Sequence, residues 1–343
     1  MADHSQSGTE GPDSAERATG GGEGRSSSSG GQANDLGPDR GDERVEITPR
    51  RLFGGLTEAL CFLLPLGKRR ATDHDPAAHS ARSADLQPAP AFARAVPWIV
   101  LIGLAVGLLW VGTFRLTWRL YGETANVRLI PALAVVLLEC LLTGQLLILG
   151  LARTTQLLGP DRPKHAPADS LGVLPPAGTL VLLLIILSHW VLILSIPDRA
   201  GWWPSDSDPR HYLNSLYPRP ILRPLLVAPI WGRWGILLAA SVGKTARRVD
   251  PQTRALGHAM TPGRLLRNTI LPLLLTGVFF SREHNRLLGV IIGVLVFGVS
   301  YLVCVGLARR GGGQTRQSVL AAGQFAQLAF LAIYRAFWPL IHG

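Results

Sequence analysis

The sequence predicts an all-α integral membrane protein, a polytopic bundle of about seven transmembrane helices. Hydrophobic residues make up 47% of the 343 residues, whereas charged residues make up only 17%. The apolar residues are also bunched into runs of roughly 20, which is the length that crosses a bilayer as a helix. Short basic connectors separate these runs, as loops at a membrane surface do.

Three regions are predicted along the chain. Residues 1–44 are rich in Gly, Ser, Asp, Glu and Arg, and a segment with so few apolar residues is expected to be a disordered, cytoplasmic tail. Residues 45–95 combine an amphipathic run at 51–66, expected to lie at the membrane interface, with a polar linker. Residues 96–343 are predicted to form the polytopic membrane domain.

Seven apolar runs are predicted to be the spans. The fifth is about twelve residues long, which also suits a re-entrant or tilted segment. Glycine pairs at four-residue spacing, Gly103 with Gly107 and Gly289 with Gly293, predict close helix packing. The predicted spans are 96–114, 129–151, 173–196, 221–242, 269–280, 287–308 and 318–341.

The basic residues predict the topology and exclude one class of partner. Lys and Arg are more numerous on the side that holds the N-terminus and the loops after the second, fourth and sixth spans, which predicts that this side is cytoplasmic. The expected location is therefore the inner, cytoplasmic membrane, with the lipid bilayer as partner. The net charge of +11 does not indicate nucleic acid, because the arginines flank apolar runs without interleaved aromatic residues.

Two ionisable residues inside predicted spans are candidates for function. Glu139 lies in the second span and Arg233 in the fourth, and ionisable groups at membrane depth are costly unless they serve a purpose. Two structural alternatives remain open, because Glu139 also suits pairing with an arginine of a neighbouring helix and Arg233 suits snorkelling to an interface. His189 has no partner that the sequence identifies. Motifs of soluble enzymes are absent and give no indication of activity.

Residues 141–159 read LLTGQLLILGLARTTQLLG, which resembles the signature segment of the adenosylcobinamide-GDP ribazoletransferase family, the membrane-bound cobalamin synthases. That family reads approximately LLTGGLHLDGLADTADGLG at this place. Further segments follow in the family's order, among them LTEALCFLLPLGK and the arginine-bearing APIWGRWGILLAASVGKTARR. The segment GGGQTRQSVLAAGQFAQLAFL resembles the family's GG-x-TGD-x-LGA element and the helix after it. The resemblance covers residues 51–335 and implies the family's fold.

The resemblance also implies a magnesium-dependent transfer in which α-ribazole or its phosphate attacks adenosylcobinamide-GDP and releases GMP. Such chemistry uses clustered carboxylates to hold the metal. This chain departs from that pattern. Leu147, Leu149, Arg153 and Gln156 stand where the family has one histidine and three aspartates, Gln317 stands for an aspartate and Gln327 for a glutamate. Asp169, followed by Ser170, remains as the one weak catalytic candidate, with Ala168 where the family has lysine.

Three hypotheses follow. The first is a divergent, catalytically impaired cobalamin synthase homologue that binds corrinoid or nucleotide intermediates or assembles with other membrane proteins. The second is an active, Mg²⁺-dependent transferase with a relocated acidic site built from Asp161, Asp169 or Glu139. The third is a transporter, for which the chain shows no inverted repeat. The candidate substrate-binding residues are Thr143, Gly144, Arg233 and Arg247; no metal ligand and no other cofactor is predicted.

Overall fold

The computed structural model describes residues 49–64, 89–121, 128–143, 146–154, 176–196, 221–246, 251–280 and 287–342. Within these residues the secondary structure is helical apart from one isolated bridge. The polytopic helical class predicted from the sequence is therefore confirmed. The helices are α1 (Pro49–Leu63), α2 (Ala89–Tyr121), α3 (Leu129–Thr143), α4 (Leu146–Thr154), α5 (Pro176–Ser195), α6 (Leu222–Ser241), α7 (Pro251–Ala259), α8 (Pro262–Phe280), α9 (Leu288–Gly311) and α10 (Arg316–His342).

Helix α6 lies at the centre of the bundle. Its membrane-length window is 89% buried, against 22% for α5 and 39% for α9. Helices α2, α8, α9 and α10 all pack against it. The outer helices expose large aliphatic side chains such as Leu183, Leu187 and Val294. A soluble protein would bury such faces, so their exposure fits helices that contact lipid.

Glycines allow the central helices to approach each other closely. A Cβ atom on Gly103 of α2 would lie 2.9 Å from the Cα atom of Ile230 in α6, and one on Gly107 would collide with the carbonyl of Leu226. A Cβ atom on Gly289 of α9 would lie 2.7 Å from the Thr276 carbonyl oxygen of α8, so these two helices are also in close contact. The predicted role of both glycine pairs in helix packing is confirmed.

The span count differs from the seven that hydropathy predicts. Within the described part of the chain, five helices are long and apolar enough to cross a membrane, or six if α3 and α4 count as one bent span. The second predicted span divides into these two helices, which meet at 85°. The fifth is the C-terminal part of α8, whose first turns carry Arg264 and Arg267 and lower its hydropathy. The 51–66 segment is observed as α1, whereas α7 is too short and polar for hydropathy to predict it.

Several helix ends are tied together at one end of the bundle. Thr245, just after α6, bridges Gln314, just before α10. Arg316 donates to the carbonyl of Phe62 in α1 at 3.2 Å and to Gln252 of α7 at 3.4 Å. The start of α10 thus holds together α1, α6 and α7, and these ends belong to the side that the basic residues predict to be cytoplasmic.

Candidate functional site

Five buried polar side chains meet between α3, α5, α6 and α10, and none of them is more than 2% exposed. Arg233 stands about 12 Å from the C-terminal end of α6, at 1.5 Å per residue, so the group lies deep in the bundle. Polar groups at this depth are costly unless they are paired. This polar cluster consists of Glu139, His189, Arg233, Gln324 and Gln327.

Gln327 is the bridge at the centre of the polar cluster. Its Nε2 donates to Glu139 Oε1 at 2.8 Å, and its Oε1 accepts from Arg233 Nη1 at 3.1 Å. Arg233 Nη1 also lies 3.6 Å from Glu139 Oε1, which makes a buried ion pair. Because each end of the amide has a partner of fixed polarity, the orientation of Gln327 is determined. The two sequence candidates for function, Glu139 and Arg233, are therefore brought together through a third helix.

The hydrogen bonds also determine the tautomer of His189. Gln327 Nε2 lies 3.1 Å from His189 Nε2, and Gln324 Nε2 lies 3.0 Å from His189 Nδ1. A neutral imidazole accepts at one nitrogen only. Since Gln327 is fixed as the donor to Nε2, Nδ1 carries the proton, and the amide of Gln324 must present Oε1 to it. This rotation supplies a partner to Gln324 Oε1, which otherwise has none among the described residues.

Local sequence features position the side chains of the polar cluster. The Thr143 hydroxyl donates to the carbonyl of Glu139, one turn earlier in α3, at 2.8 Å. Gly232 leaves room for Gln327, because a Cβ atom on Gly232 would lie 2.6 Å from Gln327 Oε1. The Trp110 ring meets the His189 ring edge to face, with centroids 6.1 Å apart. A glycine, a threonine and an aromatic ring thus hold the polar cluster in one arrangement.

A second region contains the residues for which the family resemblance implies metal ligands. Helix α4 packs against the start of α10, and a Cβ atom on Gly150 would lie 2.9 Å from Leu320 Cβ and 3.0 Å from the Gln317 carbonyl oxygen. The two segments that resemble the family's acidic motifs are therefore neighbours in space. Leu147 is buried at 1% exposure, whereas Leu149 and Arg153 are half-buried.

The residues of this α4–α10 contact do not fit a magnesium site. Mg²⁺ takes hard oxygen ligands, mostly carboxylates, whereas the implied ligand positions that are described in α4 and α10 carry Leu147, Leu149, Arg153 and Gln317. A guanidinium repels a cation and leucine offers no ligand. Among the described residues, no group of three or more His, Cys, Asp and Glu side chains is arranged to hold a metal ion. These side chains therefore offer no means of holding a magnesium ion.

The structure locates some of the predicted site residues and not others. Thr143 and Arg233 lie in or beside the polar cluster, and Gln327 belongs to it. Gly144, Gln156, Asp161, Asp169 and Arg247 lie outside the described residues. The roles proposed for all of them remain predictions.

The sequence alone does not identify two members of the polar cluster, His189 and Gln324, as belonging to one site with Glu139. No sequence pattern identifies a partner for His189, and no motif distinguishes Gln324. A signal existed, because both are polar residues within apolar runs, and Gln324 and Gln327 lie three residues apart on one helical face. The partners themselves could not be read, since 135 residues separate His189 from Gln324.

Fold and site together define a polytopic helical membrane protein with a polar cluster at its centre. The model of the cobalamin-5-phosphate synthase family matches residues 76–334, which is most of the chain. The protein belongs to this family, and its function is cobalamin synthase-like, in cobalamin biosynthesis. No curated protein and no solved structure matches the chain. The match begins after α1, so the family model does not test the similarity of residues 56–68 to the family's early element.

Proposed function

We propose that this chain is a divergent cobalamin synthase homologue of the late, nucleotide-loop assembly step that binds a corrinoid or nucleotide intermediate without magnesium-dependent turnover. The observation that supports this proposal is the α4–α10 contact. There, the chain brings together the two segments that resemble the family's metal motifs, with Leu149, Arg153 and Gln317 in place of acids. The scaffold is kept, and the groups that would neutralise a divalent cation are replaced.

Packing supports the same proposal. Leu147 is buried, and Gly150 is close to Gln317 and Leu320. Aliphatic residues in a tight helix contact stabilise it by burial and dispersion. A carboxylate in such a contact would need a metal ion or another charge to offset its desolvation. Leu147 and Gly150 therefore serve ordinary helix packing at this contact.

The test is equilibrium binding of adenosylcobinamide-GDP to the purified chain in nanodiscs, followed by corrinoid absorbance, with GMP release measured in the same samples. We expect saturable binding that is equal in EDTA and in Mg²⁺, with no GMP released after α-ribazole phosphate is added. An active member of the family is the control for substrates and lipid. Absence of corrinoid binding would contradict the binding role and leave assembly with other membrane proteins as the function.

One observation favours a second candidate, an active transferase with a relocated carboxylate. The resemblance implies a glutamate at position 327, where this chain has Gln327, and Glu139 Oε1 lies 2.8 Å from that side chain. The charge is thus supplied to the same place from another helix. The ion pair between Glu139 and Arg233 argues against a catalytic role for Glu139, because a carboxylate that is paired with a guanidinium is less available to a metal cation.

The Glu139→Gln variant separates the two candidates. If the chain turns over substrate and Glu139→Gln abolishes GMP release while corrinoid binding persists, the relocated-carboxylate candidate is correct. Asp161→Asn and Asp169→Asn are the companion variants, since both residues were predicted to supply acids. If no variant and no wild-type sample releases GMP, the impaired homologue stands.

A further inference from the structure

Helix α8 carries two arginines, Arg264 and Arg267, that lie much nearer to the middle of the bundle than the first arginine of the neighbouring helix α9. Contacts fix the register of these antiparallel helices. Position 289 faces Thr276, and Gly293 faces Leu273. Trp234 of α6 donates a hydrogen bond from Nε1 to Thr269 Oγ1 at 2.9 Å, and its ring lies 5.4 Å from the Phe297 ring, centroid to centroid. Thr269 of α8 and Phe297 of α9 are therefore at the same level, which agrees with this register.

This register places Arg264 and Arg267 level with exposed apolar residues. If the same pairing is extended toward the start of α8, Arg267 lies level with Val299 and Arg264 lies level with Leu302. Leu302 is 70% exposed. Arg309, the first charged residue of α9, lies about 10 to 15 Å further along the axis at 1.5 Å per residue. The lipid-facing surface of α9 therefore stays apolar where α8 is already cationic.

Three basic side chains lie near the junction of α7 and α8, and we refer to them as the basic notch. Arg264 donates to the carbonyl of Ala259 at the C-terminal end of α7, so its guanidinium is directed toward that helix. His258, at the end of α7, and Arg267, one turn after Arg264 in α8, are exposed. Helices α7, α8 and α9 contain no Asp or Glu within their bounds. The basic notch, defined as His258, Arg264 and Arg267, therefore has no acid from these helices to neutralise it.

An apolar stripe runs from the basic notch along α8. Its members recur every four residues and are 50% to 70% exposed, so they share one outward face. Such a face next to cations matches the two parts of a phospholipid, a phosphate headgroup and an acyl chain. The stripe consists of Leu266, Ile270, Leu274 and Val278.

We propose that the basic notch binds the headgroup of an anionic phospholipid, with an acyl chain lying along the stripe of α8. The phosphate offsets the cost of placing the half-buried Arg264 and the exposed Arg267 at a depth where the outer surface of α9 is apolar. The headgroup is drawn inward locally instead of α8 being pushed out of the bilayer. Anionic lipid is favoured over zwitterionic lipid because the notch offers positive charge, and α7, α8 and α9 supply no carboxylate to hold a choline or ethanolamine group.

Native mass spectrometry of the full chain in detergent tests the proposal. Dioleoylphosphatidylglycerol and dioleoylphosphatidylcholine are titrated separately, and the dissociation constant of the first bound lipid is measured. We expect tighter binding of phosphatidylglycerol, weakened on the order of tenfold in the Arg264→Gln/Arg267→Gln variant. The matched control is Arg309→Gln/Arg310→Gln, which removes the same charge from the end of α9 and is expected to change the constant by less than about threefold.

Three results would overturn the proposal. These are equal affinity for the two lipids, equal losses in both double variants, and displacement of phosphatidylglycerol by glycerol 3-phosphate at equal concentration. Arg264 also caps α7, so the Arg267→Gln single variant, with its thermal unfolding measured, separates lost binding from lost folding. Arg267→Lys keeps the charge and is expected to retain the lipid preference.

Discussion

Two stretches of α10 are packed against neighbouring helices, but they differ in what they bring into contact. The first, around Gln317 and Leu320, meets α4 through Gly150 in a close and largely apolar contact. The second carries Gln324 and Gln327 into the polar cluster, where an ion pair is buried. One helix thus carries neutral residues where the family resemblance implies acids, and it contributes to a charged network about 10 Å further along, at 1.5 Å per residue.

The largest effect is expected from breaking the ion pair. Glu139→Ala leaves the Arg233 guanidinium buried without a carboxylate, which costs about 3–5 kcal/mol of unfolding free energy. The measurement is denaturant unfolding of the purified chain in detergent. The double variant Glu139→Met/Arg233→Met removes both charges and should cost less than Glu139→Ala alone. A larger loss in the double variant would show that the two charges act independently.

The two glutamines of the polar cluster should differ from each other. Gln327→Leu removes contacts to Glu139, Arg233 and His189, so it leaves several buried groups unpaired and should cost about 2–3 kcal/mol. Gln324→Leu removes only the contact to His189 and should cost about 1 kcal/mol. Unfolding midpoints of the two variants under identical conditions give the comparison. Equal losses would contradict the central position of Gln327.

Close packing at the α4–α10 contact is tested with glycine. Gly150→Ala places a methyl group 2.9 Å from Leu320 Cβ, and the overpacking should cost about 1–3 kcal/mol. The control is Gly112→Ala in α2, where no heavy atom lies within 4 Å of the new Cβ. There the better helix propensity of alanine should leave stability unchanged or slightly raised. A stable Gly150→Ala protein would mean that α4 and α10 are further apart.

The smallest effect is expected from exchanging the acid and the amide. The Glu139→Gln/Gln327→Glu variant keeps one carboxylate within reach of Arg233, which contacts position 327 at 3.1 Å and position 139 at 3.6 Å. We expect it to lie within about 1 kcal/mol of the parent, because the charges and hydrogen bonds are conserved in number. Each single exchange should be worse, since one leaves Arg233 without a carboxylate and the other places two together. Additive losses would contradict a shared site.

The sequence predicted the membrane class and the functional interest of Glu139 and Arg233, because both follow from residue type and hydropathy. It could not predict their bridge, because Gln327 lies 188 residues from Glu139 and nothing local marks the pair. Hydropathy also does not predict the bend between α3 and α4, because both helices are apolar and together form one continuous apolar run. The true start of α8 was missed for the opposite reason, as its arginines interrupt the apolar pattern.

The proposal that this chain lacks magnesium-dependent turnover is tested most directly by measuring GMP release. Purified chain in nanodiscs is supplied with adenosylcobinamide-GDP and α-ribazole phosphate, with Mg²⁺ or with EDTA, beside an active member of the family. We predict GMP release by the control in Mg²⁺ and none by this chain in either condition. Mg²⁺-dependent GMP release by this chain would contradict the proposal and place its acids elsewhere, with Glu139, Asp161 and Asp169 as the residues to replace first.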